Sequence, residues 1–275
     1  MLELVITTQR SVIGGGFTHT AGNGSIVGAG VSNHAENFSI IGAGYNNDAT
    51  GSGSMVGAGN QNEASGEYSF VGGGNANFAR GARSIALGGE FTAANGDYSM
   101  VFGRFIGLSA TASGSVYLAD GIDRNTTRNI QTAPNTFFGR FDNGYSFFTD
   151  STLNVGVTIG NGQTAWSSLS DRNSKRDFEP VDTVSVLEKV AELPMTTWHY
   201  KHDPETRHMG VMSQDLYKSF GLGASDKRID TLNADGVQMA AIQGLHSRQQ
   251  ALQKKNEVLE ERILKLEKLL QKASE

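Results

Sequence analysis

The hydrophobic and polar positions of residues 11–119 follow a short, regular repeat. A serine followed by two apolar residues recurs at Ser11, Ser25, Ser39, Ser54, Ser69, Ser84, Ser99 and Ser115, in steps of 14, 14, 15, 15, 15, 15 and 16 residues. The first apolar position holds Val12, Ile26, Ile40, Met55, Phe70, Ile85 and Met100, and the second Ile13, Val27, Ile41, Val56, Val71, Ala86 and Val101. Adjacent strand residues point to opposite faces, so this short strand is apolar on both sides and both sides are expected to be buried. Within the unit, glycine recurs three and five residues after the serine (Gly28 and Gly30, Gly42 and Gly44, Gly57 and Gly59, Gly72 and Gly74), asparagine eight after (Asn33, Asn47, Asn62, Asn77), and alanine ten after. The glycines suit positive φ and close approach between coils. The asparagines suit either a turn or an inward ladder. The pattern predicts a parallel β-roll or solenoid with one strand, a glycine-permitted turn and a return path per unit. One apolar face fills the coil. A coil this thin has nothing of its own to cover the other, so neighbouring chains around a symmetry axis are expected there. The repeat fades after Ser99, where Phe102 and Arg104 replace both glycines.

Residues 121–169 change register. Residues 136–150 alternate around Asn143-Gly144, which predicts a hairpin. Residues 151–166 continue with short strands and a Gly-Asn-Gly turn. Phe137, Phe138, Phe141, Tyr145, Phe147 and Phe148 are the densest aromatic cluster in the chain. The favoured reading is the core of a small interlocked β-neck, ahead of exposed rings that stack on sugars. Asp120, Asp123, Arg124 and Arg128 read as a solvated loop.

A helical period follows, with Val184, Leu187, Val190 and Ala191 on one face and Pro194 at its end. Residues 196–201 read as a strand. Residues 208–221 read as a short strand running into a helix that closes at Gly221, and residues 235–245 begin another helix. Leu252, Leu259 and Leu266 occupy one heptad position, with Asn256, Ile263 and Leu270 at the other, the signature of a short coiled coil whose Asn256 fixes register. So short a coil is marginal alone, which again implies other chains.

Composition divides the chain in the same way. Residues 1–120 hold 24 of the 35 glycines, no lysine and four arginines, whereas residues 170–275 hold five glycines, sixteen basic and seventeen acidic residues. The formal net charge of -5 gives no argument for nucleic acid. The absence of cysteine excludes disulfides, thiolate metal sites and cysteine nucleophiles. No apolar run reaches the roughly 18 residues of a membrane span, and the opening MLELVITTQR lacks a basic leader and an apolar core of signal-peptide length. The expectation is a protein made in the cytoplasm that acts outside it through particle assembly or lysis.

Candidate chemistry is sparse. The triple glycines at 14–16 and 72–74 lack the Lys-Ser/Thr of a phosphate loop, and the repeats lack the recurrent aspartate of a calcium-binding roll. His199 and His202 face opposite sides of a strand, and with His208 they read as ordinary surface or core histidines, so no metal and no cofactor is expected. Paired carboxylates for glycan hydrolysis are missing from residues 1–169. One arrangement stands out, Ser170-Asp171-Arg172-Asn173-Ser174-Lys175. Residues five apart lie about 140° apart on a helix and on opposite faces of a strand. Ser170 and Lys175 therefore meet only across a turn or between chains. A free lysine titrates near 10.4. To act as a base, Lys175 must be desolvated or set beside another cation such as Arg172 or Arg176.

The repeat units of residues 11–119 resemble the head repeats of trimeric autotransporter adhesins and the similar repeats of phage tail fibres. SDRNSKRDFEPVD, LPMTTWHYK, HMGVMSQDLY and DGVQMAAIQGL with the terminal heptads resemble the intramolecular chaperone domain of endosialidases and phage tail fibres. The resemblance implies a mainly β chain: a trimeric, left-handed parallel β-roll or solenoid arm, a β-neck, and an α+β chaperone domain ending in a coiled coil. The corresponding segments are a lead-in (1–10), arm (11–120), hairpin neck (121–169), chaperone domain (170–244) and coiled coil (245–275). The resemblance also implies self-cleavage between Leu169 and Ser170 by a Ser170/Lys175 dyad, supported by Asp171, with Gly210 and Gln214 as structural residues. Ser174 departs from the apolar residue common in that family, and a polar side chain there is expected to loosen Lys175. The implied role is a homotrimeric tail fibre of a phage or contractile particle that attaches to a host surface receptor or glycan and is joined to a tail or baseplate protein. A cell-surface trimeric adhesin and a fibre that permanently keeps an uncut chaperone domain are the alternatives. A glycan-degrading enzyme and a membrane-tethered transcription factor fit less well.

Overall fold

A computed structural model describes residues 5–6, 10–122, 128–130 and 133–273, with backbone only for 5–6 and 128–130. Most of the lead-in, together with Asp123 and Arg124 of the expected loop and the side chain of Arg128, lies outside the described residues. The chain divides into two compact units, Met1–Thr149 with Gly156–Ser167, and Asp150–Val155 with Ser168–Glu275.

The first unit is a parallel β-solenoid of about seven turns. One ladder of strands joins Val12–Ile13 to Ile26–Val27, Ile40–Ile41, Met55–Val56 and Phe70–Val71, and then to the longer strands Ile85–Ala94 and Met100–Leu108. A second ladder, through Thr20–Ala21, His34–Ala35, Asp48–Ala49, Glu63–Ala64 and Phe78–Ala79, forms the return path. The register sets each serine-led pair opposite the next, so the repeat length in the sequence is one coil. Val27, Ile41, Val56, Val71, Ala86 and Val101 are completely buried, as are the facing alanines 21, 35, 49, 64, 79 and 94. The interior is thus a column of branched side chains against a column of methyl groups. The anchoring serines are inside as well. Ser25 donates to the Ala35 carbonyl at 3.2 Å and Ser39 to the Ala49 carbonyl at 2.6 Å, tying strand to return path.

The asparagines form the inward ladder. Asn62 Nδ2 donates to Asn47 Oδ1 at 3.1 Å, and Asn62 Oδ1 accepts the Asn77 backbone N–H at 3.0 Å. The ladder runs from His19, whose Nδ1 accepts the Asn33 N–H at 3.2 Å, to Thr92, whose hydroxyl donates to Asn77 Oδ1 at 2.8 Å. The glycines bring coils into contact. A Cβ built on Gly28 would sit 2.1 Å from the Gly42 carbonyl oxygen, so a side chain there would force the coils apart.

The first apolar position is different. Val12, Ile26, Ile40 and Met55 keep 38–53% of their surface exposed. The isolated chain covers one apolar face of these strands and leaves the other open from Val12 to Met55, whereas Phe70, Ile85 and Met100 are half-buried.

The solenoid also runs past the expected end of the arm at residue 120. Phe137–Arg140 lies parallel to Val116–Ala119 as a further rung, and Phe138 packs edge-on against buried Tyr117 with centroids 4.9 Å apart. The hairpin expected around Asn143-Gly144 does not form. A turn is present, closed by Gly144 N–H to the Phe141 carbonyl at 3.0 Å, but its flanks belong to different sheets. Gly144–Phe148 pairs antiparallel with Gly156–Gly160 instead. The aromatic cluster is split accordingly. Phe138 joins the arm's core, Phe147 leans on Trp166, and Phe137 is 68% exposed, so within one chain the six rings form no single core.

The second unit is a small α/β assembly. Helix α1 (Thr183–Glu192) is capped by Asp182, which accepts the N–H groups of Val184 and Ser185 at 3.1 Å. Leu193 and Pro194 stop it. Strands Thr196–Tyr200 and Asp203–Gly210 pair antiparallel. Helix α2 (Ser213–Phe220) closes at Gly221, which takes the left-handed conformation with φ 64°. Helix α3 (Thr231–Ala273) runs unbroken for 43 residues, which is roughly 65 Å. Its first part packs on α1, where Val237 and Ala241 are buried. A Cβ on Gly244 would fall 2.1 Å from the Thr183 carbonyl oxygen and 3.1 Å from Leu187 Cβ, so this mid-helix glycine permits the helix crossing. Farther on, Leu252, Leu259, Ile263, Leu266 and Leu270 are 42–70% exposed along one stripe, the apolar seam of a coiled coil without its partner.

Candidate functional site

Residues 169–182 connect Ser167–Ser168 to α1 and contain no buried side chain. Their shape is set by one aspartate. Asp171 caps a single 3-10 turn, Arg172–Ser174, by accepting the Asn173 N–H at 3.0 Å and the Asn173 side-chain amide at 3.2 Å. The Lys175 N–H closes the turn on the Arg172 carbonyl at 3.1 Å. A tight turn shortens the path between residues five apart. It brings Lys175 Nζ to 2.5 Å from Ser170 Oγ, with the ammonium donating to the hydroxyl. Of the two routes open to this pair, a turn within one chain is the one observed.

Ser174 also behaves differently from expectation. Its hydroxyl donates to the Asp171 carbonyl at 2.8 Å. The polar side chain therefore fastens the turn that presents Lys175 instead of loosening it. The two neighbouring cations are engaged elsewhere. The Arg172 guanidinium lies 4.9 Å from the Phe178 ring centroid, and Arg176 pairs with Asp177 at 3.3 Å. Leu169 is 42% exposed, which leaves the bond between Leu169 and Ser170 on the surface of the chain.

Gly210 ends the second strand of the unit, and Gln214 lies in the first turn of α2 beside Ser213, at 3.3 Å between Gln214 Oε1 and the Ser213 hydroxyl. Trp198 and His208, paired across the two strands, stack with centroids 4.6 Å apart, and His202 stacks on Tyr200 at 5.3 Å. These imidazoles serve as flat packing surfaces. An apolar cavity of about 430 Å³ is lined by Val190, Trp198, Met209, Leu216 and Val237. Trp198 Nε1 is buried there without a hydrogen-bond partner. Sequence patterning gave no sign of this cavity, because its walls come from five separate elements.

In chain order, the parallel solenoid is followed by a small α/β unit that ends in an amphipathic helix. Residues 170–221, under a fifth of the chain, match the family model described as chaperone of endosialidase. The matched stretch begins at Ser170, contains Lys175, Gly210 and Gln214, and ends at the helix-closing Gly221. With the solenoid, the match fits a tail-fibre protein with β-roll repeats and a C-terminal chaperone domain, and it supports a chaperone role in a fibre-like protein. No curated protein matches the chain. No helix among the described residues is long and apolar enough to cross a membrane.

Proposed function

We propose that this chain is one protomer of a homotrimeric attachment fibre of a phage or phage-like particle. Its C-terminal domain templates assembly of the solenoid and then releases itself by cutting the bond between Leu169 and Ser170. The observation that carries the reading is the 2.5 Å contact of Lys175 Nζ with Ser170 Oγ at the first residues of the matched chaperone segment. Three uncovered features support assembly: the exposed apolar row of the solenoid, the bare heptad seam of α3, and the apolar cavity beside Trp198. A partner chain would cover each of them.

The chemistry follows from where the nucleophile sits. Ser170 is the residue after the scissile bond, so its Oγ reaches the Leu169 carbonyl carbon through a five-membered ring. Neutral Lys175 takes the Oγ proton as the C–O bond forms. The tetrahedral intermediate collapses by breaking the C–N bond, with the proton passing to the departing Ser170 amine. Water then hydrolyses the resulting Leu169 ester, leaving a Leu169 carboxylate and restoring the Ser170 hydroxyl. Asp171 acts through the turn it caps and is a positioning residue. The step needs the neutral amine, whose uncharged form burial favours. Burial of residues 170–175 by a neighbouring protomer would favour the neutral amine, so cutting would follow assembly.

Intact mass of the purified chain beside Ser170→Ala and Lys175→Ala tests the proposal. It predicts two wild-type fragments that meet at Leu169/Ser170, with both variants whole. A whole wild-type trimer would remove the cleavage step and make residues 170–275 a permanent part of the fibre.

A further inference from the structure

One surface column of the solenoid carries more side chain than the fold requires. The residue immediately before each buried serine lies on the turn into the strand, and it takes the left-handed conformation on rung after rung: Gly24 (φ 65°), Phe38 (63°), Gly53 (67°), Tyr68 (54°), Arg83 (55°), Tyr98 (56°) and Gly114 (69°). Glycine adopts that conformation freely, whereas a residue with a Cβ costs about 1–2 kcal/mol there. Gly24, Gly53 and Gly114 show that the turn is complete without a side chain. The turn does not demand the aromatic residues, and what they add is a row of rings on the surface.

The rings are presented outward. Phe38, Tyr68 and Tyr98 are 64%, 57% and 63% exposed. They are also held in place. A Cβ on Gly24 would meet the Phe38 ring at 2.5 Å, and one on Gly53 would meet the Tyr68 ring at 2.7 Å, so these two rings lie over a glycine of the preceding rung. Arg83 sits between two tyrosines, 5.6 Å from the Tyr68 centroid and 5.4 Å from that of Tyr98, and donates to the Tyr98 hydroxyl at 3.2 Å. Its other N–H donors are left to solvent, and exposed Glu67 and Asp97 flank the column.

We infer that this column binds an extended, neutral, β-linked glycan. The inference rests on the attachment reading and assigns it a site. Three observations select the ligand. Flat exposed rings beside hydrogen-bonding groups of both kinds are the chemistry of sugar recognition, since a sugar offers an apolar C–H face and a rim of hydroxyls. The rings at 38, 68 and 98 recur every second rung, about 9.6 Å apart at two inter-strand spacings. In a β-1,4-linked hexose chain alternate residues turn opposite faces, so equivalent faces recur once per disaccharide, a comparable length along a straight track. Finally, residues 1–120 hold eight acidic residues against four arginines and no lysine, which disfavours a polyanionic chain.

The test is calorimetric titration of the full-length protein with cellohexaose and chitohexaose, with helical maltohexaose and a heparin hexasaccharide as controls. Tyr68→Gly and Tyr98→Gly keep the turn, because glycine already fills the column elsewhere, and native mass is recorded for every variant. The expected result is binding of at least one β-linked oligomer. Each glycine variant should weaken it roughly three- to tenfold, and Arg83→Ala should weaken it also, all with assembly unchanged. Equal binding by wild type and variants would overturn the inference, as would no binding of either oligomer at millimolar concentration or binding of heparin alone. Variants that dissociate would show the column to be a contact between chains. If the oligomers fail to bind an intact trimer, the column is wrong and the attachment reading stands. If no trimer exists, the attachment reading itself fails.

Discussion

Replacing Asn62 with alanine removes the centre of the asparagine ladder, and its cost can be worked from the bonds lost. Asn62 is 1% exposed. Its Nδ2 donates to Asn47 Oδ1 at 3.1 Å, the Ala58 carbonyl at 3.0 Å and the Gly74 carbonyl at 3.1 Å. Its Oδ1 is the acceptor of the Asn77 N–H at 3.0 Å. The Gly74 carbonyl keeps the Asn60 N–H, and Asn47 Oδ1 keeps the Asn62 N–H, so those acceptors stay satisfied. The Asn77 N–H is left buried and unpaired, which costs about 1–3 kcal/mol, and the remaining lost bonds add roughly 1 kcal/mol net. A total of about 2–4 kcal/mol corresponds to a fall in Tm on the order of 10 °C for a unit of this size. Asn60→Ala is the matched control. Asn60 lies two residues away, half-buried on the outside, where its amide donates to Asn75 Oδ1 at 2.8 Å. A surface change of that kind should cost no more than about 1 kcal/mol. Thermal unfolding followed by circular dichroism at fixed protein concentration reads both. If the two variants melt within about 2 °C of each other, the ladder does not hold the coils together and the reasoning is wrong.

Further outcomes follow from single positions. Gly244→Ala should destabilise the C-terminal unit despite the roughly 1 kcal/mol that alanine gains in helix propensity, because its Cβ would fall 2.1 Å from the Thr183 carbonyl oxygen; the urea midpoint should drop, and an unchanged or raised midpoint would refute the close helix crossing. Burial raises the Asp48 carboxyl above its usual value, with His34 opposing and Glu63 and Glu36 adding to the rise. A raised folded pKa means that the folded arm holds this proton more tightly than the unfolded chain, so the Asp48 contribution worsens as pH rises through the folded value. Asp48→Asn should therefore raise Tm at pH 7, with the gain shrinking toward pH 4; a lower Tm at neutral pH would contradict it.

The repeat was legible because the solenoid's register is the spacing of its serines. Strand pairs such as Ile40 with Met55 fall where the repeat sets them, and the second apolar position is the buried one. The asparagines were ambiguous because eight residues after the strand serves a turn as well as an inward side chain, and only the neighbouring coil, with Asn47 Oδ1 facing Asn62, decides between them. The Asn143-Gly144 signal marked a real turn yet misled about pairing. Turn chemistry fixes where a chain reverses, whereas Phe137–Arg140 found its partner a full coil earlier in Val116–Ala119. For Ser170 and Lys175, spacing required an intervening turn but did not supply one. The turn comes from the Asp171 cap and the Ser174 hydroxyl, both local bonds to backbone that a motif of residue types leaves unwritten. The cavity beside Trp198 was invisible for the opposite reason, since its walls are distant in sequence.

The open solenoid row and the bare α3 seam both require chains to come together. Native mass spectrometry of the purified full-length protein measures that most directly. The prediction is a species of three chains, intact or cut at Leu169/Ser170 with the products still associated, and stable on dilution because the solenoid rows and the α3 seams cover one another. A folded monomer at micromolar concentration would contradict it, for the half-exposed row from Val12 to Met55 would then be a tolerated surface with no partner to explain it.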